Sequence, residues 1–235
     1  MALLALEHVA KRHRQGSPAE DLRDVCLELH ERELIALWGP RVSGRSTLLR
    51  IAAGIEAPDS GVVRFRGRQL AAGGGATARG IAYCPPPSHR AEPHGVMQAL
   101  SSTQAALGVR PAEARARASR ALERVGAGAG EGRRFHELDP GEAARVSIAA
   151  ALLQEPTLVL VDGLTMGLHL FEQEQIMTLL RSLTREHIAI LMSIPATGVG
   201  LFAADRTLSL VDGRLRGHVV PEAAEVVTLP LRSTG

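Results

Sequence analysis

The chain has 235 residues, of which 45% are hydrophobic and 22% are charged, and its formal net charge is +2. This length and apolar content allow a sizeable buried core, so we expect one globular domain with at most a subdomain. The small net charge does not favour nucleic acid or an anionic membrane surface as a partner.

The first part of the chain has the pattern of strands. LEHVA (6–10) and VCLEL (25–29) alternate apolar and polar residues, as half-exposed strands do. ELIALW (33–38) is a continuous apolar run, which predicts a buried strand, and a glycine-containing loop then leads to a helix over about 46–53. GVVRFRGRQL (61–70) alternates again after the turn APDSG.

The middle of the chain changes from strand to helix. AAGGGATARG (71–80) is a loop by composition, and GIAYC (80–84) is a second buried strand that ends at Pro85. Residues 111–125 are rich in Ala, Arg and Glu and predict a helix. A glycine-rich break follows, and 141–153 predicts a further helix with one apolar face.

The last third returns to buried strands. TLVLVD (157–162) reads as a central parallel strand that ends on a carboxylate. A helix at about 172–186, the strand IAILMS (188–193) and the hairpin-like RTLSLVDGRLRG (206–217) complete the pattern. Strands that alternate with helices predict an α/β fold, with a helical insertion between the second and third buried strands.

The loop GPRVSGRST has the glycine spacing of a phosphate-binding P-loop. In such a loop, backbone N–H groups and the following helix N-terminus hold phosphates, a lysine reaches the β/γ oxygens, and a hydroxyl binds Mg²⁺. The positions that would face a nucleotide are Gly39, Arg41, Ser43, Gly44, Arg45, Ser46 and Thr47. A strand–loop–helix turn that binds no nucleotide is the alternative interpretation.

Two positions in this loop differ from the pattern. Arg45 takes the place of the lysine, which keeps the charge but replaces a compact ammonium with a planar fork. Val42 takes the place of a glycine. If that position needs a positive φ, a β-branched residue there costs about 1–3 kcal/mol.

The order of motifs resembles the ATP-binding subunit of ABC transporters, especially of the lipoprotein-release and macrolide-export type. The likeness covers nearly the whole chain, and Leu138, Asp162 and Ile194 have the family's spacing. It implies a P-loop NTPase fold in a single domain, 1–235, with a RecA-like core sheet, an N-terminal antiparallel β subdomain and an inserted helical subdomain. The core with its β subdomain would comprise 1–87 and 155–235, and the helical signature subdomain about 88–154.

The resemblance also places the family's chemical groups on this chain. Asp162 and Ser46 match the Mg²⁺ ligands. The catalytic glutamate maps to Gly163, which has no side chain to act as a base. The switch histidine maps to Ile194, and the glutamine that senses Mg²⁺ maps to Pro86, which has neither a side-chain amide nor a backbone N–H.

Further positions depart from the family in the same way. The adenine-stacking aromatic maps to His13, and the D-loop aspartate maps to His169. In the family, a signature loop closes over the nucleotide of the opposite subunit, but here its serine and glycine are Asp139 and Pro140. A carboxylate repels phosphate and proline lacks an N–H, whereas Asp139 would make a good helix N-cap. The residues that would face the partner's site are Asp139, Gly141 and Glu142.

These substitutions predict a degenerate, non-hydrolysing ATP-binding subunit in which binding of ATP and Mg²⁺ is weak or lost. It would pair with a different, competent ATPase subunit and dock on a membrane permease at the cytoplasmic face of the membrane. We expect no nucleic-acid partner. The N-terminus reaches charged residues too early for a signal peptide, and no apolar run approaches the ~20 residues of a spanning helix. An active ATPase that uses Arg45, or a soluble scaffold outside transport, are the alternatives.

The two cysteines lie far apart in the sequence. Cys26 and Cys84 lack metal-ligand spacing, and we expect both to be buried thiols in a reducing compartment.

Overall fold

Two sheets organise the chain in this computed structural model, which describes residues 1–12, 21–71, 79–86, 95–195 and 203–217. The antiparallel sheet has the order β2-β1-β4-β5 and contains β1 (Leu4–Lys11), β2 (Leu22–Leu29), β4 (Ser60–Phe65) and β5 (Arg68–Gln69). The second sheet has the order β10-β9-β3-β8-β7-β6 and contains β3 (Leu34–Trp38), β6 (Ile81–Cys84), β7 (Leu158–Val161), β8 (Ala189–Ser193), β9 (Arg206–Val211) and β10 (Arg214–Arg216).

The second sheet is parallel except for its last strand. β3 pairs parallel with β8 and β9, and β7 pairs parallel with β6 and β8, while β10 pairs antiparallel with β9. The carboxyl ends of parallel strands meet at one edge of a sheet. The segments that follow β3, β7 and β8 therefore come together at that edge, and the predicted α/β fold is confirmed.

Apolar residues cover both faces of the parallel sheet. In β3, Leu34 and Ala36 belong to one buried cluster, and Ile35 and Leu37 belong to another. The first cluster also contains residues of the helices between 96 and 185, and the second also contains residues of the antiparallel sheet and of the helix that follows β3. Burial on both faces explains why β3 is a continuous apolar run rather than an alternating one.

Five α-helices accompany the sheets: α1 (Arg45–Ala52), α2 (Val96–Ala106), α3 (Pro111–Arg124), α4 (Pro140–Leu152) and α5 (Leu170–Arg185). None of these described helices is long and apolar enough to cross a membrane. The sequence pattern misses α2, because its buried positions end with a glutamine. The amide of Gln104 is fully buried and donates to Leu153 O at 2.7 Å.

The outer strands contain irregularities that simple alternation does not predict. Both Glu7 and His8 point outward in β1, and its register shifts at this point. Asp24 has the corresponding place in β2. The expectation that both thiols are buried is wrong for Cys26, which lies on the outward positions of β2 and is exposed, whereas Cys84 is buried.

Candidate nucleotide site

The loop after β3 keeps the backbone frame of a P-loop. A Cβ at Gly39 would lie 2.4 Å from Leu210 O and 2.9 Å from Ser43 Oγ, so this position requires glycine. Gly44 has a φ of 84° and is the N-cap of α1. Ser43 and Thr47 are buried, and Arg41 is exposed. Helix α1 begins at Arg45, one residue before the predicted start.

Val42, which stands where a glycine was expected, has a left-handed backbone. Its φ is 67°, and its side chain is 46% exposed. A β-branched residue in this region costs about 1–3 kcal/mol, and little burial offsets that cost. The loop therefore has a positive φ at residue 42, where the chain places a β-branched residue that this conformation disfavours.

The Arg45 guanidinium is bound to oxygens of the protein itself. Nε donates to Ser43 Oγ at 3.2 Å, Nη2 donates to Pro40 O at 3.4 Å, and Nη1 donates to the backbone oxygen of Ile194. Burial lowers the pKa of Arg45, an effect that the charge of Asp162 opposes, and the group remains cationic at neutral pH. Arg45 thus joins the P-loop to the residue that follows β8.

Three hydroxyl groups surround the carboxylate that follows β7. Asp162 is 2% exposed, and its Oδ1 accepts from Ser46 Oγ at 3.0 Å and from Ser193 Oγ at 2.9 Å. Its Oδ2 accepts from Tyr83 Oη at 2.9 Å. The expected magnesium ligands Ser46 and Asp162 are therefore adjacent, and both oxygens of the carboxylate have partners.

Two members of this cluster are not predicted from the sequence. Tyr83 is the third residue of β6, and Ser193 is the last residue of β8. Burial, then the charge of Asp162 and the hydrogen bond to it, raise the pKa of Tyr83, so its phenol stays a donor. The signal that could have found both residues is their position near the carboxyl ends of parallel strands, where ligands bind in α/β sheets.

The oxygen atoms at this edge of the sheet are suitable ligands for Mg²⁺. Mg²⁺ prefers oxygen ligands, keeps several waters and binds one or two carboxylates together with phosphates. Ser46 Oγ and Asp162 Oδ1 lie 3.0 Å apart and are both oxygens of this kind. These two residues would hold the ion, which would supply positive charge to the phosphate oxygens of a nucleotide.

The position of the catalytic glutamate has a backbone suited to glycine. Gly163 has a φ of 61°, and its N–H donates to Ser193 Oγ at 2.7 Å. A Cβ at Gly163 would lie 3.2 Å from Met166 Sδ and 3.9 Å from Pro86 Cβ. Pro86, to which the resemblance assigns the family's glutamine, is exposed beside it.

Ile194 belongs to the hydrophobic core. Its side chain is 1% exposed and packs within the cluster beneath the helices, and its N–H donates to Leu37 O at 2.9 Å. Ile194, where the resemblance places the switch histidine, therefore contributes an apolar contact to the core and a carbonyl to Arg45.

The signature segment forms an N-terminal capping box on α4. Asp139 Oδ1 accepts from Glu142 N at 2.7 Å, and Glu142 Oε2 accepts from Asp139 N at 2.9 Å. The expected N-cap role of Asp139 is confirmed. Arg133 Nη1 lies 2.7 Å from both oxygens of Glu142, and a Cβ at Gly141 would lie 2.9 Å from Glu172 Oε1. The polar groups of Asp139 and Glu142 are thus already engaged within the chain.

His169 stands at the N-cap of α5. It is exposed, and its backbone N–H donates to Glu172 Oε2 at 2.9 Å. Apolar side chains lie exposed nearby in sequence, among them Met166, Leu170 and Phe171. The expected adenine-stacking residue, His13, lies outside the described residues.

Comparison with known proteins gives consistent matches. A family model described as "ABC transporter" matches residues 22–166. The lipoprotein-releasing system ATP-binding protein LolD of Cereibacter sphaeroides is 32% identical over 232 residues, which are 96% of this chain and 99% of LolD. The pyoverdine export ATP-binding/permease protein PvdT of Pseudomonas syringae pv. syringae is 30% identical over 95% of this chain, which spans only 35% of PvdT.

A solved structure shows the same fold. The dimeric structure of MJ0796, a bacterial ABC transporter cassette, has a TM-score of 0.76 and 22% sequence identity, over 91% of this chain and 96% of the cassette.

Proposed function

Because this chain belongs to the ABC transporter family and is an ATP-binding domain of that family, we propose that it is a non-hydrolysing subunit of a transporter. The observation that carries this proposal is Gly163. At the position of the general base the chain has no side chain, and a left-handed φ of 61° disfavours any other residue. Among the described residues, the neighbouring Pro86 and the core-packed Ile194 supply no base either.

The P-loop supports weak binding of ATP with Mg²⁺. Gly39 and Gly44 keep the loop backbone, while Ser46 and Asp162 offer oxygens to the ion. A nucleotide phosphate must compete for the Arg45 guanidinium with the three oxygen atoms to which this group already donates. Binding of nucleotide therefore replaces existing hydrogen bonds instead of adding to them, which lowers the net gain.

The proposed assembly contains a competent ATPase subunit and a membrane permease. PvdT joins an ATP-binding part and a permease in one protein, and the MJ0796 cassette forms a dimer. Two subunits of this family share two nucleotide sites, and this chain lacks catalytic groups in both halves. A competent partner chain is therefore proposed, with this chain at the cytoplasmic face. Within the chain, we propose that 1–87 and 155–235 form the α/β core with its β subdomain and that about 88–154 forms the helical signature subdomain.

ATP turnover tests this function. The purified chain and its Asp162→Ala variant are compared, each alone and with the co-purified partner, and binding of a fluorescent ATP analogue is measured with and without Mg²⁺. We expect background turnover by the chain alone, with no difference between wild type and variant. Turnover at the rate of an ordinary transporter subunit that Asp162→Ala abolishes would show an active ATPase instead.

A further inference from the structure

Three side chains with metal-binding atoms meet on the outer face of the antiparallel sheet. His8 Nδ1 lies 2.7 Å from Asp24 Oδ1 and 3.8 Å from Cys26 Sγ. One ligand atom from each of the three residues lies within 4.8 Å of the other two, and all three residues are exposed. In a tetrahedral zinc site, the bond lengths of about 2.0–2.3 Å place ligand atoms roughly 3.3–3.6 Å apart, so small side-chain movements suffice.

The backbone directs these residues to one point. His8 and Asp24 have φ values of 53° and 57°, and the register between β1 and β2 shifts at each of them. Such bulges re-aim side chains in a sheet. Gly61 in β4 allows the close approach, because a Cβ there would lie 2.4 Å from His8 O. His8 and Asp24 thus bring the three side chains together through a left-handed backbone conformation, which non-glycine residues rarely adopt.

A backbone N–H is directed at the sulfur atom of the cluster. The His8 N–H lies 3.3 Å from Cys26 Sγ, and N–H groups directed at ligand sulfurs support metal-bound thiolates. The neighbouring outward carboxylate of Glu7 is paired with Arg64 at 3.0 Å and is not part of the cluster. The second cysteine does not compete, because Cys84 is buried and burial raises the pKa of its thiol to about 12.

We propose that His8, Asp24 and Cys26 form a surface site for a thiophilic divalent cation of the Zn²⁺ class. The ligands are His8 Nδ1, a carboxylate oxygen of Asp24 and the Cys26 thiolate, with water in the fourth position. Binding releases the thiol proton to solvent, and no electron transfer is involved. The site lies in the antiparallel sheet, whereas the candidate nucleotide site lies at the edge of the parallel sheet, so its test does not depend on ATP.

Titration of the metal-free full chain with Co²⁺ and then Zn²⁺ tests this site. We expect one equivalent of Co²⁺ to give a near-ultraviolet thiolate-to-cobalt absorption band, and Zn²⁺ to remove it. Cys26→Ser abolishes the band, while Cys84→Ala and Glu7→Gln, the controls, retain it. His8→Asn and Asp24→Asn weaken Co²⁺ binding by about tenfold or more.

The asparagine variants keep the test interpretable. Asparagine tolerates a left-handed backbone better than most residues, so these variants keep the bulges, and circular dichroism checks their folding. Absence of the thiolate band in wild type overturns the proposal. So does a Co²⁺ affinity that stays unchanged in both folded asparagine variants, since the ion would then bind at Cys26 alone.

Discussion

Ser193 forms hydrogen bonds with both residues that follow strand β7. Its Oγ donates to Asp162 Oδ1 at 2.9 Å and accepts from Gly163 N at 2.7 Å. Because a hydroxyl has a single proton, donation to the carboxylate fixes its orientation and leaves lone pairs for the N–H. The last residue of β8 thereby positions the end of the neighbouring strand.

Removal of the Asp162 carboxylate leaves three hydroxyl groups without their acceptor. Asp162→Ala should lower the free energy of unfolding by about 3 kcal/mol in the absence of nucleotide, because the site is buried and the bonds are charge-assisted. Urea denaturation measures the change. Tyr83→Phe and Ser193→Ala each remove one donor, and we expect each to cost about 1 kcal/mol. A loss below about 1 kcal/mol for Asp162→Ala would contradict the network as described.

Addition of a carboxylate at residue 163 should not create an ATPase. Gly163→Glu and Gly163→Ala both place a Cβ on a backbone with a φ of 61°, close to Met166 Sδ. We expect each to destabilise the chain by about 1–2 kcal/mol and neither to raise ATP turnover. The alanine variant separates backbone strain from the effect of the carboxylate. A rise in turnover with glutamate alone would show that the base is the sole missing group.

Val42→Gly should stabilise the chain. Relief of the left-handed valine gains about 1–2 kcal/mol, and the greater freedom of glycine in the unfolded chain costs about 0.5–1 kcal/mol. A net gain of about 1 kcal/mol is expected in thermal or urea unfolding. Val42→Ala, the matched control, keeps a Cβ at the same φ and should give a smaller gain. Equal effects of the two variants would mean that strain at residue 42 is not what limits stability.

Asp205 makes stability depend on pH in the acid range. Arg181 Nη2 donates to its Oδ1 at 2.7 Å and Leu34 N donates to its Oδ2 at 2.8 Å, and the hydrogen bond from Arg181 is the main cause of its lowered pKa. Because the pKa of Asp205 is lower in the folded chain than in the unfolded chain, where it is ~4, the charged carboxylate stabilises the fold above pH ~4. This contribution is lost as the pH falls through the pKa of the folded chain.

The Asp205→Asn variant measures this contribution. We expect it to lower stability by about 1 kcal/mol at neutral pH, and we expect the difference from wild type to shrink below pH ~4. Urea unfolding at a series of pH values measures both. Glu186→Gln, which breaks the exposed pair with Arg124, is the control and should cost only a few tenths of a kcal/mol. A pH-independent difference for Asp205→Asn would point to packing as the cause.

The sequence predicts strands of this fold better than it predicts the partners in the site. The apolar runs of β3, β7 and β8 identify buried strands, because burial on both faces leaves a local signal. Helix α2 is missed since Gln104 interrupts its apolar face. Tyr83 and Ser193 meet Asp162 across separations of 79 and 31 residues, and no local pattern reports such contacts.

Within the P-loop, the glycine spacing indicates where a positive φ is needed, and Val42 has one. The same reasoning cannot find the third acceptor of Arg45, because the backbone oxygen of Ile194 lies 149 residues away. Likewise, the expectation of a buried Cys26 is wrong, and the approach of His8 to it depends on bulges whose φ values only the structure reveals. Periodicity therefore gives the faces of strands, while long-range geometry decides what those faces contact.

The backbone at Gly163 also bears on how this subunit could evolve. If the chain descends from a hydrolysing ancestor, a glutamate restored at 163 would meet a left-handed backbone that costs about 1–2 kcal/mol and a close contact with Met166 Sδ. Under the proposed function, the left-handed backbone at this one glycine is thus a barrier to regaining ATP hydrolysis by mutation.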